Sequence, residues 1–487
     1  MKLRNLISDT WTEPQSSASI SIVSPVDGSV LASGNASSTD QAREAVDAAQ
    51  HAFSTWRYST LDERTELIRR FAHLVQEHKE ELASLIVAEI GKTHADATSE
   101  VAAIVGKAET SITAQDTRTP STSTEVAAGT LGVSYRPLGP TVVLGPFNFP
   151  GHLPNGHITP ALLAGNSIVF KPSEQGSIVG QRLVEIWQEA GVPPGVINLV
   201  HGGVDVGEAL IDHANTASVL FTGGVRAGKA IHQRLAGRPE VMLALELGGN
   251  NPIIAWNVDD AKAAAATIVR SAFLSSGQRC TCARRLIVEE GPSGDRIVDA
   301  VLDITERLRV GSPHQEPPPF MGPLVSERAA DNVIAAQKEL TSLGAQVLTP
   351  AATADLGPAY LRPGVLDVTN VSERPDDEIF GPLLQVVRVK SLADAINEAN
   401  NTAFGLASGV LTDDDDVWDH AHPRLHAGIV NRNVATVGAS GAAPFGGVGL
   451  SGNHRPAGFH AADYVAHPVA HIAGPSTSET SPIEEVH

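Results

Sequence analysis

The sequence predicts an α/β protein built on parallel sheets, and three observations lead to this fold class. Its 487 residues are too many for one compact core, so we expect two or three domains. From Thr141 onwards, short apolar runs alternate with helical stretches and Gly/Pro turns, which is typical of strands joined by crossover helices. A second block of the same kind extends from about Asn251 to Gly447.

The part of the chain before Thr141 follows other patterns. Residues 1–35 carry Pro, Gly and Ser between short apolar runs, which favours edge strands and turns. Residues 39–91 repeat apolar side chains at helical spacing, for example at Leu67, Phe71 and Leu74. Residues 115–138 are rich in Thr and Ser and then alternate between apolar and polar. We expect a hairpin there that projects from the body of the protein.

Five short apolar runs of the first block predict buried strands, at residues 141–145, 166–171, 196–200, 218–221 and 241–245. Ligands of parallel sheets bind beyond the carboxyl ends of the strands. Polar side chains and glycines directly after these runs are therefore candidates for a ligand site.

The composition excludes several classes of protein. With 42% hydrophobic and 18% charged residues the chain is expected to be globular and soluble. A net charge of -20 makes a nucleic acid a poor partner, because an acidic surface repels phosphates. No run of 18 apolar residues and no secretory signal is visible, so we expect a cytoplasmic protein without a membrane partner.

The chain has two cysteines, Cys280 and Cys282, in the segment Gly-Gln-Arg-Cys-Thr-Cys at residues 277–282. Two residues apart is poor geometry for a disulfide, and two thiols without a His/Cys cluster make a poor zinc site. We expect no metal and a reducing compartment. At least one thiol is a candidate for chemistry, although the segment alone fits a buried cysteine beside a turn equally well.

Glu246 is the one acidic residue in an otherwise apolar strand, and it is followed by glycines. A buried carboxylate is costly unless it is paired or used. Burial would raise its pKa towards the range of a general base. The alternative is a glutamate that is hydrogen-bonded to the neighbouring glycine backbone.

Asn148 lies between two phenylalanines just after a predicted strand. It is either a turn asparagine or an amide donor for a developing oxyanion. Lys171 and Glu174 follow the next strand and suit ribose hydroxyls. A third segment turns from strand to helix and suits a pyrophosphate, although it lacks the GxGxxG pattern. Its candidate residues are Gly223, Gly224, Val225, Arg226, Ala227 and Gly228.

Taken together, these segments resemble the aldehyde dehydrogenase superfamily, from about Trp56 to Tyr464. Further segments that match in order and spacing are residues 89–92, 195–198, 378–382, 400–406 and 444–452. The resemblance implies a Rossmann-type NAD-binding domain at residues 1–114 and 139–248 and an α/β catalytic domain at 249–447. It also implies a small β oligomerisation arm at 115–138 and 458–473, and hence a homodimer or homotetramer. Residues 462–472 would pair with a partner's sheet, and the Ser/Thr/Glu/Pro-rich tail at 474–487 is expected to be disordered.

The resemblance also implies residue roles. Cys280 would be the nucleophile, Glu246 the base and Asn148 the oxyanion donor. Lys171 and Glu174 would hold the adenosine ribose, and residues 223–228 would face the pyrophosphate. Glu378 would hold the nicotinamide ribose and Phe380 would pack beside the nicotinamide.

The implied cofactor is NAD rather than NADP. The carboxylate of Glu174 can accept a hydrogen bond from a free 2′-hydroxyl but would repel a 2′-phosphate. Arg226 lies nearby and could soften this preference. Many relatives carry serine where Gly224 stands, and without that hydroxyl a pyrophosphate contact is lost, so weaker cofactor affinity is expected.

The substrate is less clear than the reaction. Residues 147–157, 247–252, 277–285 and 451–456 resemble one branch of the family, which acts on a dicarboxylated semialdehyde. Residues 428–434 depart from that branch. Arg432 in this loop is either a partner for a substrate carboxylate or a surface arginine, and His152 and His157 are further candidates for polar substrate contacts. The alternatives are another semialdehyde, a CoA-acylating enzyme, which Glu246 disfavours, and a non-catalytic relative, which the intact set of Cys280, Glu246 and Asn148 disfavours.

Overall fold

The structure is a computed structural model that describes residues 2–474 and 476. Thirteen α-helices lie in this described part. They are α1 Thr39–Trp56, α2 Leu61–Glu77, α3 Lys79–Ile90, α4 His94–Arg118, α5 His152–Ala164, α6 Ser177–Glu189, α7 Val204–Asp212, α8 Val225–Arg234, α9 Ala261–Phe273, α10 Pro292–Glu306, α11 Glu327–Ser342, α12 Leu392–Asn400 and α13 Asp415–Ala421.

The same residues form twenty-three strands. They are β1 Asn5–Ile7, β2 Thr10–Thr12, β3 Ser19–Val23, β4 Val30–Asn35, β5 Thr122–Val126, β6 Gly129–Pro137, β7 Pro140–Leu144, β8 Ser167–Lys171, β9 Ile197–Leu199, β10 Ser218–Thr222, β11 Met242–Glu246, β12 Asn251–Ala255, β13 Ala283–Glu289, β14 Gln346–Thr349, β15 Ala352–Thr353, β16 Leu361–Arg362, β17 Gly364–Asp367, β18 Leu383–Val389, β19 Ala407–Leu411, β20 Ile429–Arg432, β21 Pro444–Phe445, β22 Ala457–Gly458 and β23 Ala466–Ala473.

The first large sheet has the strand order β11-β10-β7-β8-β9-β1-β2. The five strands from β11 to β9 are parallel, and β1 and β2 add an antiparallel edge. Each parallel strand lies within one residue of its predicted bounds at either end. The chain proceeds from β7 to β9 in one direction and then returns to place β10 on the other side of β7. The switch point between β7 and β10 is where such sheets bind ligands.

The second large sheet has the order β14-β17-β18-β13-β12-β19-β20. Its neighbouring strands are parallel except for β14, which runs antiparallel to β17 at one edge. Apolar side chains cover both faces of this sheet in two separate clusters. Strands of a parallel sheet that is covered on both faces are mostly apolar along their length. This agrees with the short apolar runs that the sequence shows in its second block.

A three-stranded antiparallel sheet, β23-β6-β5, forms the projecting arm. Its hairpin begins at Thr122, later than the predicted residue 115, because α4 continues as a helix through Arg118. The prediction that residues 462–472 pair with a partner's sheet stays a prediction, because β23 lies at the edge of this sheet. Strand β23 pairs along its whole length with β6 of the same chain, from Ala466 opposite Pro137 to Ala473 opposite Thr130.

Of the predicted tail at 474–487, all but Gly474 and Ser476 lies outside the described residues. Among the helices of the described part, none is long and apolar enough to cross a membrane.

Candidate active site

The polar residues that the sequence singled out follow the carboxyl ends of neighbouring strands. Asn148 comes shortly after β7, Gly223 directly after β10, and Glu246 is the last residue of β11. These strands are adjacent in the sheet, and the Gly223 N–H donates to the Glu246 carbonyl oxygen over 3.0 Å. The loop that carries Cys280 reaches the same place from the second sheet, between α9 and β13.

The cysteine loop has an unusual backbone. Ser275, Ser276 and Gly277 have consecutive φ angles of 53°, 57° and 70°, in the left-handed region. A side chain at position 277 would collide with the backbone of Gly381. Two non-glycine residues in this region cost free energy, and such strain concentrates at functional sites.

Asn251 fastens this loop to the second sheet. Its Nδ2 donates to the carbonyl oxygens of Cys280 and Cys282 at 2.7 and 2.8 Å, and its Oδ1 accepts from the Ala407 N–H at 2.9 Å. Cys282 is fully buried, whereas Cys280 is partly exposed. The loop therefore presents one thiol, that of Cys280.

Burial and neighbouring charged groups together set the pKa of the Cys280 thiol. Burial raises its pKa well above the usual value, and the nearby carboxylates of Glu246 and Glu378 raise it further. The guanidinium of Arg284 opposes them and lowers the pKa. Burial is the largest of these effects, and loss of the negative charge on either carboxylate would ease formation of the thiolate.

Glu246 is a buried carboxyl group with one oxygen that accepts no hydrogen bond from the described residues. Its side chain lies in a residue that is only 4% exposed, and its Oε1 has no hydrogen-bond partner among the described residues. Gly446 packs directly against the Glu246 carboxyl group, since a Cβ at position 446 would lie 2.7 Å from Oε1. Burial raises the pKa of Glu246 well above its ordinary value. A buried, unpaired polar group is costly, and a perturbed pKa in a cleft is typical of functional sites.

Asn148 is buried beside the cysteine loop. Its Nδ2 donates to the carbonyl oxygen of Gln278 over 3.0 Å, two residues before Cys280. An amide nitrogen carries two hydrogens, so one remains for a further acceptor. The geometry ties the amide to the loop that carries the thiol.

Lys171 and Glu174 follow β8, as the sequence predicted. The Lys171 ammonium donates to the carbonyl oxygens of Pro172 and Gly202 at 2.9 and 2.6 Å, and its Nζ lies 3.9 Å from Glu174 Oε2. The Glu174 side chain is half exposed, whereas Lys171 is buried. A fixed donor beside an accessible acceptor matches what a ribose diol requires.

The turn that joins β10 to helix α8 has free space at the N-terminus of the helix. Gly224 precedes the ten-residue helix α8, and a Cβ there would meet no atom within 4 Å. Gly228 instead faces inwards, where a Cβ would collide with the side chain of Leu247. Arg226 and Ala227 are exposed and Val225 is half-buried. A ligand phosphate can approach the N-terminus of α8 without obstruction, which fits the expected pyrophosphate.

Glu378 and Phe380 lie beside the cysteine loop, since both contact Arg284, which is bonded to that loop. Glu378 Oε1 lies 3.4 Å from Arg284 Nη2, and burial raises the pKa of this carboxyl. A side chain at Gly248 would overlap with the Glu378 carboxylate, so the two segments touch. Phe380 packs edge-on against Phe147 with ring centroids 5.8 Å apart. The structure therefore brings together the residues predicted for catalysis and those predicted for the nicotinamide end of the cofactor.

Sequence reasoning missed two residues of this site, Asn251 and Arg284. Arg284 lies almost fully buried at the start of β13, where it donates to the carbonyl oxygens of Gly277 and Arg279 at 2.7 and 3.0 Å. The sequence could have indicated Arg284, because it is a charged side chain in a largely apolar strand. The same argument identified Glu246. Asn251 gave no comparable indication, since its role depends on carbonyl groups of distant residues.

The three substrate candidates lie in different places. His157 is buried and bonded to the hydroxyls of Tyr464 and Thr222 at 3.0 and 3.1 Å. His152 is half-buried at the start of α5. Arg432 bonds to Asp415 Oδ1 over 2.6 Å at the start of α13, so its charge is already paired.

We expect replacement of Arg284 by methionine to slow alkylation of Cys280 by iodoacetamide at a fixed pH. Loss of the cation removes the group that lowers the thiol pKa. Freed buried carbonyls should also cost about 1–3 kcal/mol of stability each. Arg284→Lys is the matched control, because it keeps the charge and loses the forked hydrogen bonds. Equal alkylation rates in Arg284→Met and the unaltered protein would contradict the electrostatic role.

Comparison with known proteins identifies the family. The model of the aldehyde dehydrogenase family matches residues 11–468. N-succinylglutamate 5-semialdehyde dehydrogenase of Vibrio cholerae serotype O1 is 48% identical over 454 residues, which cover 93% of each chain. The protein of the same name from Paraburkholderia xenovorans is 47% identical over 448 residues, covering 92% of each chain. The more specific stretches of the sequence resembled this same branch.

Solved structures show the same fold. An NADP-dependent enzyme of E. coli has a TM-score of 0.91 at 30% identity and covers 97% of this chain and 98% of its own. The NAD-bound 1-pyrroline-5-carboxylate dehydrogenase from Thermus has a TM-score of 0.90 at 29% identity, covering 97% of this chain and 93% of its own. The predicted fold class is thereby confirmed, and the chain belongs to the aldehyde dehydrogenase family and is an aldehyde dehydrogenase.

Proposed function

We propose that this enzyme oxidises N-succinyl-L-glutamate 5-semialdehyde to N-succinyl-L-glutamate with NAD, as a step in arginine catabolism. The observation that carries the substrate is the identity of 48% over 93% of the chain to relatives of that name. The side chains of Cys280, Glu246 and Asn148, gathered at one place in the fold, support the reaction.

The first step is attack of the Cys280 thiolate on the aldehyde carbon, which gives a thiohemiacetal with a charged oxygen. The free N–H of Asn148 and the backbone N–H of Cys280 donate to that oxygen. One such donor is worth about 3–4 kcal/mol in the transition state. Asn251 bonds to the two cysteine carbonyls, and so holds the backbone from which the thiol projects.

A nicotinamide held by Glu378 and Phe380 would, when bound, supply the acceptor for the hydride of the tetrahedral carbon. Cys280 then holds the product as a thioester, and Glu246 takes a proton from the water that attacks it. The raised pKa of the buried Glu246 makes its carboxylate a stronger base than an exposed glutamate. Hydrolysis releases the carboxylate and returns the thiol.

The residues present fit a nicotinamide dinucleotide, which the family membership supports at the level of NAD or NADP. The open N-terminus of α8 would take the pyrophosphate. Lys171 and Glu174 would hold the adenosine ribose, and Glu378 the nicotinamide ribose. Phe380 would pack beside the nicotinamide.

Glu174 is the residue that we expect to favour NAD. Its replacement by alanine removes the acceptor for the 2′-hydroxyl and the repulsion of a 2′-phosphate. We predict that kcat/KM for NAD falls about tenfold, as expected for loss of one hydrogen bond to a charged group. The value for NADP should stay the same or rise. The measurement is initial rates with both cofactors, and unchanged discrimination in Glu174→Ala would contradict the assignment.

The substrate is tested with a panel of aldehydes and a spectrophotometric NADH readout. We expect the highest kcat/KM with N-succinylglutamate 5-semialdehyde. A higher value with succinate semialdehyde or 2-oxoglutarate semialdehyde would overturn the proposed substrate and leave the reaction class intact.

We further propose a homodimer or homotetramer in the cytoplasm, with domains at residues 1–114 and 139–248 and at 249–447. The edge strands β5 and β23 of the arm carry backbone groups that are unpaired within the described residues and can meet a second copy. Light scattering after size exclusion tests the assembly, and a monomer in solution would contradict it.

A further inference from the structure

Lys107 is a buried cation without an anion. It lies in α4, is 6% exposed, and makes no hydrogen bond or ion pair with any residue that the structure describes. The nearby buried lysine, Lys92, shows the usual arrangement, because its Nζ lies 2.7 Å from Glu100 Oε2. Lysine is almost never fully buried unless it is paired. The unpaired ammonium of Lys107 therefore calls for an explanation.

The packing of α4 fixes where Lys107 lies. Glu100, Ile104 and Lys107 share the helix face that packs on α5, and Glu100 Oε1 accepts from the Gly151 N–H over 2.9 Å. A Cβ at Gly156 in α5 would lie 4.0 Å from Lys107 Cε. The side chain is thus held against α5 near Gly156, in the helix that follows the Asn148 loop.

The loop at residues 438–443 approaches the ammonium end of Lys107 at Gly441. A Cβ at Gly441 in this loop would lie 4.0 Å from Lys107 Nζ. The loop itself is exposed, and it continues to Gly446, which backs onto Glu246. The segment from Gly441 to Gly446 therefore connects the surroundings of Lys107 with the candidate base.

The two histidines near Lys107 do not neutralise its positive charge. His152 and His157 on α5 are neutral, since burial and the charge of Lys107 lower the pKa of each to about 3. Burial lowers the pKa of Lys107 to about 8, so the amine remains largely protonated at neutral pH. A protonated amine among neutral groups, beside an exposed loop, would gain an ion pair from the carboxylate of a ligand.

We propose that Lys107 determines specificity by binding a carboxylate of the aldehyde substrate. This inference rests on the proposed function, in which the aldehyde carries carboxylates at the end away from the reacting carbon. Arg432, the arginine that the sequence offered for this role, already has Asp415 as its partner.

The test compares two aldehydes of similar shape with the Lys107→Met variant. One is succinate semialdehyde, and the other is 4-methylpentanal, in which an isopropyl group replaces the carboxylate. We expect kcat/KM for succinate semialdehyde to fall about 30-fold or more, mainly through KM, as for loss of one partner of a desolvated charge pair. The value for 4-methylpentanal should change less than about threefold. Lys107→Arg should restore part of the lost activity, and Lys262→Met, at an exposed lysine in α9, is the charge-matched control.

Thermal unfolding separates this role from a structural one. Removal of an unpaired buried charge should leave the melting temperature unchanged or raise it. A lower melting temperature, with equal losses for both aldehydes, would overturn the proposal. So would unchanged kcat/KM for succinate semialdehyde. If N-succinylglutamate 5-semialdehyde itself is no substrate of the unaltered enzyme, the proposed function fails, whereas the two-aldehyde comparison still decides the role of Lys107.

Discussion

Replacement of Cys280 by serine is expected to lower kcat by about 10³-fold or more for every aldehyde substrate. Serine keeps the size of the side chain but offers a hydroxyl, which is a far weaker nucleophile than a thiolate. The loop geometry should persist, because Asn251 bonds to the backbone carbonyl of residue 280 and not to its side chain. Cofactor affinity, measured by calorimetry, should therefore stay unchanged while turnover is lost.

Cys282→Ser provides the matched control for this experiment. Cys282 is fully buried and only its carbonyl faces Asn251, so we expect turnover within several-fold of the unaltered enzyme. A buried hydroxyl in place of the thiol should cost about 1–3 kcal/mol of stability. Turnover retained in Cys280→Ser, or lost equally in Cys282→Ser, would contradict the assignment of the nucleophile.

The parallel strands of the first sheet could be predicted closely because their indications are local. Each is a short apolar run between a helical stretch and a glycine or proline turn, and β8 and β11 end within one residue of the predicted position. The arm was harder to predict. Thr and Ser at residues 115–121 favour neither helix nor strand strongly, so the end of α4 is decided by contacts such as the pair of Arg118 with Asp463.

The sequence indicated the candidate site where a charged residue stands in an otherwise apolar segment. Glu246 was found because a carboxyl group in an apolar strand is costly, and the buried, unpaired Oε1 shows that this cost is present in the fold. Lys107 was missed although it is equally buried. Its helix α4 carries polar residues on several faces, so its pattern did not show which face is covered. Arg432 is the opposite case, because the sequence did single it out as a substrate contact. Nothing near it in sequence indicated that Asp415 would pair with it.

Glu246→Gln should separate the two halves of the reaction. Attack and hydride transfer do not need the Glu246 carboxylate as a base for water, so a first burst of NADH, close to one per active site, should survive. Hydrolysis of the thioester should slow by about 10²–10⁴-fold, the usual worth of a general base. Mass spectrometry should then find the acyl group on Cys280. A burst that is absent, or steady turnover that is unchanged, would contradict this role.

The same variant tests the electrostatics of the site. In the unaltered enzyme the Glu246 carboxylate raises the pKa of the Cys280 thiol, so its replacement by a neutral amide should lower that pKa and speed alkylation by iodoacetamide at a given pH. The pKa of Glu246 itself is raised, and its basic form is the active one. Hydrolysis in the unaltered enzyme should therefore increase as pH rises through that raised pKa, and the increase should vanish in Glu246→Gln. Because the amide removes a buried charge, the variant should also melt no lower than the unaltered enzyme. Slower turnover together with faster alkylation is a combination that a merely misfolded site would not produce.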